Sequence, residues 1–188
     1  MRQIESSSEF CRGLPFTVGL QTDRSRRLNK LAENNYLLKL IEKYYPYMVT
    51  RQEFKTISTL RIREAEVLFQ SKYYDGACYL AGYSLETALK AAVCRNMNAD
   101  NFFSLIKAES QRAFRIHNLE ELVLLAGFNQ RMITLRQNNP PLLNDWSFIV
   151  SAIKWSEQLR YEFGKTQSET IRMIEATKNI LQWIKKYW

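Results

Sequence analysis

Proton transfer near neutral pH falls most readily to imidazole, and this chain of 188 residues has a single histidine, His117. Arg112 stands five positions before it, and a second arginine, Arg160, lies far downstream. A third group of reactive side chains sits on the segment 75–95, DGACYLAGYSLETALKAAVCR. There Tyr79, Tyr83, Glu86 and Lys90 follow an i, i+4, i+7, i+11 track, which is one side of a helix. Each group has two readings. Glu86 and Lys90 are either an i, i+4 ion pair at a partly solvated edge or the wall of a site. His117 is either held by polar neighbours at a helix start or a proton-transfer group. Arg160 shares a helical line with Ile149, Ile153 and Ser156, so it can turn inward, where a buried guanidinium needs a carboxylate. Glu86 is the candidate. The pair is then a structural clamp, or both residues frame a phosphate or base pocket with His117 and the tyrosines. Tyr73, Tyr74, Tyr79, Tyr83, Trp146 and Trp155 divide in the same way, between core packing and stacking on nucleobases.

Absences narrow the chemistry. The chain has no glycine-rich phosphate loop, no G-x-G-x-x-G, no H-E-x-x-H and no paired C-x-x-C. One histidine rules out multi-histidine metal sites, and nothing calls for a metal or a cofactor. Three cysteines do not make a disulfide framework, and Cys78 and Cys94 would lie about 24 Å apart along one helix, beyond bridging distance. The first residues, MRQIESSSEFCRG, lack the apolar core of a signal peptide, and the apolar runs are too short to span a membrane. The expectation is a cytoplasmic protein without membrane contact. A net charge of +8 makes phosphate-bearing partners plausible.

The elements that must position these residues read as helices throughout. Few Gly and Pro, and no convincing strand pair, argue against a sandwich or barrel. Residues 1–49 read as an irregular arm followed by a helix over 25–45 that ends at Pro46 and packs on the main domain. Residues 50–188 read as that main domain. Thr50 and Glu53 form a capping box for a helix over 51–71, and the short SKYYDG link makes an antiparallel hairpin with the helix over 75–95. That second helix starts at Asp75 as N-cap and is rich in Gly, Ala and Ser, so neighbours can approach closely; it reads as the central helix of a bundle. Asn118 begins another helix, which Gly127 ends. Asn138-Asn139-Pro140-Pro141 reads as a loop, 145–161 as one helix with two apolar stripes, and Thr166 with Glu169 as the box opening a last helix. The fold class is all-α.

Four short motifs in order resemble the HEPN family (higher eukaryotes and prokaryotes nucleotide-binding). They are Tyr74-Asp75-Gly76-Ala77, then Glu86-Thr87-Ala88-Leu89-Lys90-Ala91, then His117-Asn118-Leu119, then Arg160-Tyr161-Glu162. The resemblance covers roughly residues 51–186, and Glu162 stands where the family's R-Y-P-like motif has Pro. The resemblance implies an up-and-down helical bundle, here with an added N-terminal helix, that binds RNA or nucleotide and works as a homodimer. It further implies metal-independent endoribonuclease activity of the toxin or defence type, with an antitoxin-like partner. His117 would then move the proton of a ribose 2′-OH, while Arg112 or Arg160 would hold the scissile phosphate. Arg112 and His117 match the family's R-x(4–6)-H motif, although positions five apart lie about 140° apart on a helix. Glu86, Tyr79, Tyr83, Lys90 and Tyr161 would line the binding site. The alternative within the same resemblance is a non-catalytic scaffold or protein-interaction module with a degenerate site.

Overall fold

The computed structural model describes residues 49–100 and 116–188. Of the segment 1–49 only Val49 is among them, so the N-terminal arm and helix fall outside, as does Arg112. The described residues are predominantly helical. Helix α1 is Arg51–Gln70, α2 Tyr74–Asn96, α3 Leu119–Leu125, α4 Asn129–Asn138, α5 Pro140–Ser147 and α6 Gln167–Ile184; a π-helical turn, Phe148–Ala152, and a 3₁₀ turn, Glu157–Tyr161, lie between the last two.

Local chemistry sets most of the helix ends. The capping boxes at Thr50–Glu53 and Thr166–Glu169 both close, each hydroxyl accepting from its glutamate's N–H while that carboxylate accepts from the threonine's N–H. The Asn118 side chain accepts from the N–H groups of Glu120 and Glu121 and starts α3, which ends before Gly127 at φ 71°. α1 and α2 run antiparallel, because Phe69 meets Tyr74 near the link while Ser84 Oγ donates to the Ser58 carbonyl (2.8 Å) farther along both helices. α6 runs antiparallel to α1 as well: Lys178 pairs with Glu66 (2.7 Å), and Thr59 and Lys185 line one groove. It runs parallel to α2, with Thr170 at Tyr74 and Lys186 at Arg95.

From Ser84 to Cys94 every residue of α2 is buried, so this helix is wrapped on all sides. Its small residues carry this arrangement. Ala81 and Ala88 are fully buried, leaving no bulk to hold α1 and α6 away, while Leu85 and Leu89 fill the gaps between helices. Among the described residues no helix is long and apolar enough to cross a membrane.

Three details depart from the sequence reading. Asp75 does not cap α2, which starts at Tyr74; its carboxylate instead accepts from the Lys165 N–H (2.7 Å) and ties the loop before α6 to the first turn of α2. The expected loop at 138–141 shrinks to one residue, Asn139, whose side chain caps α5 at Leu142 N–H (3.3 Å). The two prolines occupy the first turn of α5, where a missing N–H costs nothing. The expected helix over 145–161 breaks into α5, the π turn and the 3₁₀ turn, with Lys154 between them at φ 55°.

The core leaves its thiols inert. Burial pushes Cys78 up to about 12 and Cys94 up to about 11 from an ordinary 9.0. A group whose folded pKa is raised contributes stability below its unfolded value and loses it as pH rises toward the folded one. We expect a Cys11→Ser variant to resist iodoacetamide at pH 8 in the native state and to take up two equivalents once denatured, with stability falling above about pH 9. Mass spectrometry and alkaline denaturation curves read both.

Candidate functional site

The centre of the site is a carboxylate that cannot reach water. Glu86, midway along α2, is 1% exposed. Its Oε1 accepts from Lys90 Nζ at 2.7 Å, one helical turn on, and lies 3.1 Å from His117 Nδ1. A buried carboxylate left alone would be very costly, and these two contacts compensate it. Lys90 is itself buried, so the expected ion pair exists but not at a solvated edge: α2 is enclosed on that side too.

His117 stands just before the Asn118 cap, half-exposed at the opening to solvent. Its second ring nitrogen, Nε2, lies 3.1 Å from Glu157 Oε2, on the 3₁₀ turn. The result is a linear chain, Lys90–Glu86–His117–Glu157, that passes from the core to the surface. A neutral imidazole donates through one nitrogen only, whereas both can donate in the imidazolium. The two contacts, one on each nitrogen, therefore hold the ring in a single orientation.

Beside His117 opens a cleft of about 470 Å3, walled by Leu119, Glu120, Val150, Lys154, Trp155 and Glu157. The broken helix builds this wall. Lys154 in the left-handed region turns the chain, and Trp155 then lies against α2, its Nε1–H donating to the Tyr79 carbonyl (3.0 Å). Gly82 makes that approach possible, since a Cβ there would sit 2.2 Å from the indole. The indole stacks on Tyr79 (centroids 6.3 Å apart), and Tyr79 stacks on Tyr83 (6.2 Å). Tyr83 is raised from its ordinary value chiefly by burial, and further by the nearby Glu86 charge.

The other expected residues separate from this centre. Arg160 does not clamp Glu86. It is exposed and lies over the Tyr161 ring, 4.9 Å from its centroid, because the break at Lys154 takes it off the helical line of Ile149 and Ile153. Tyr161 is 72% exposed, and Arg112 lies outside the described residues. Thus Glu86, Lys90 and His117 meet, with Tyr79 and Tyr83 alongside on the same helix track. Glu157 was missed: nothing local in the sequence marks it, and only the chain reversal at Lys154 brings it to His117. Trp155 was legible as an aromatic but not as the residue that braces the turn. Among the described residues no cluster of His, Cys, Asp and Glu is arranged to hold a metal ion.

Compared with models of known families, with curated proteins and with solved structures, the chain matches none.

Two substitutions test the architecture. Lys90→Met leaves the buried Glu86 charge short of its closest cation and should cost about 3–5 kcal/mol in chemical denaturation. Adding Glu86→Leu should recover much of that loss. Gly82→Ala should cost about 1–3 kcal/mol and shift tryptophan fluorescence to the red, as the indole is driven off α2.

Proposed function

We propose that this chain is a HEPN-type RNA-binding protein in which His117 moves protons in metal-independent RNA cleavage. One observation carries the reading: an imidazole oriented by a buried carboxylate, Glu86, stands at the edge of an open cleft, with its other nitrogen on the cleft-lining Glu157. In this reading Nδ1 stays on Glu86, as in catalytic carboxylate–histidine pairs, and the carboxylate stabilises the imidazolium once a proton has been taken. Nε2 removes the ribose 2′-OH proton, the 2′ oxygen attacks the adjacent phosphorus, and the bond to the 5′ oxygen breaks, that oxygen leaving as a hydroxyl after protonation. Arg160, on the same 3₁₀ turn as Glu157, is the described arginine suited to the phosphate charge; Arg112 is the other candidate. Tyr79, Tyr83, Lys90 and Tyr161 belong to the binding surroundings. An up-and-down bundle acting as a cytoplasmic homodimer, with an antitoxin-like protein partner, completes the proposal. The antiparallel run of α1 against α2 and α6 supports the bundle, and the net charge of +8 supports an RNA partner.

A second reading has its own observation. Both ring nitrogens of His117 face carboxylates, and Glu120 adds another negative charge to the cleft, which suits a structural network in a non-catalytic scaffold.

Incubation of the purified chain with a structured RNA in excess EDTA separates the two. The nuclease reading expects cleavage that leaves 2′,3′-cyclic phosphate ends, and His117→Ala should lower the rate by about 100-fold or more. Undiminished cleavage by that variant removes His117 from the chemistry. An intact substrate, with a stable complex by light scattering, establishes the scaffold.

A further inference from the structure

The lining of the cleft is at odds with a phosphate resting inside it. Glu120 and Glu157 bring two carboxylates against one ammonium, Lys154, and His117. Ionised carboxylates only accept hydrogen bonds, so the cleft suits a ligand portion that donates them. Leu119, Val150 and Trp155 supply apolar wall, and about 470 Å3 lies within the roughly 300–1,000 Å3 of small-molecule sites. A flat, largely apolar group with donors on one edge fits this lining. That description is a nucleobase rather than a phosphate.

The donor pattern selects among the bases. The two oxygens of one carboxylate match two adjacent donors. Guanine alone offers such a pair, N1–H beside the N2 amino group. Adenine and cytosine each put a ring acceptor next to their amino group, and uracil flanks its N3–H with two carbonyls; each would set a lone pair against the carboxylate. We propose that the cleft beside His117 is a guanine site and that Glu157 is the residue that reads the base. The proposal rests on the RNA-directed reading above and names its specificity.

Glu157 suits the task. It is partly exposed, and its present contacts are single ones that a bidentate partner can replace: Oε2 on His117 Nε2 (3.1 Å) and Oε1 accepting from Gln158 at the surface (3.3 Å). Exchange has a consequence for His117. When the guanine edge takes the Glu157 carboxylate, Nε2 becomes free toward the substrate while Nδ1 remains on the buried Glu86. Recognition of the base and release of the proton acceptor are then one event, and a wrong base leaves Glu157 seated on the imidazole.

Nucleoside binding tests this separately from cleavage. Guanosine, inosine, adenosine, cytidine and uridine are titrated into the full chain and followed by the indole N–H signal of Trp155, which lines the cleft, in NMR. Guanosine should bind about tenfold or more tightly than each of the others, inosine included because it lacks the N2 amine. Glu157→Gln and Glu157→Ala should each abolish that preference while retaining the native circular dichroism spectrum, and His117→Ala should keep it. Equal affinity for guanosine and adenosine, or a preference that survives both Glu157 variants, overturns the proposal. Selective guanosine binding without RNA cleavage sinks the nuclease reading and leaves the base site standing. Cleavage without nucleoside discrimination does the reverse.

Discussion

Glu86 is the constraint to which the surrounding structure answers. A carboxylate at the middle of the most enclosed helix is stable only if opposite charge and hydrogen-bond donors come to it. Lys90 does so from the same helix, at a spacing that α2 provides by its own geometry. His117 does so from another part of the chain, and its contact pins the start of α3 against α2. Farther along, Asn96 repeats the connection by donating to the Leu125 carbonyl (3.0 Å). These two polar contacts, one partly buried and one at the surface, hold α3 in register against α2.

The second constraint is the failure of the helix after α5. A π-helical turn carries one residue too many per turn, and such turns recur where a protein redirects side chains for function. Here the redirection is completed by Lys154 in the left-handed region and by Trp155 lying flat over Gly82. Together they aim Glu157 at His117 and leave Arg160 outside on Tyr161. Both functional readings pass through this turn, because it decides which charges face the cleft. The asymmetry it creates, carboxylates inside and guanidinium outside, is better matched to a ligand with a donor-rich end and an anionic end than to a bare anion.

Helices were legible in the sequence wherever local chemistry decides them. The boxes at Thr50–Glu53 and Thr166–Glu169, the Asn118 cap and the small-residue face of α2 all depend on neighbours a few positions apart, and all are present. So is the pairing of Glu86 with Lys90, an i, i+4 relation. Where the reading failed, the reason was a contact that local composition hides, a neighbouring cap in one case and a distant partner in the others. The prolines at 140–141 look like a loop until Asn139 caps them into a helix, and Asp75 looks like a cap until the Lys165 N–H claims it. The helix expected over 145–161 contains neither Gly nor Pro to announce its break, which the seating of Trp155 on α2 stabilises.

By itself, the sequence determined the helical class, most of the helix ends and the polar track along α2, since these follow from spacings of three and four residues. Only the tertiary structure decided that Glu86 is sealed in the core, that His117 rather than Arg160 comes to it, and that Glu157 closes the far side of the ring. These depend on burial and on contacts across 31 and more positions of chain, where no periodicity reaches. A charge buried by its neighbours chooses its partner by what the fold brings near.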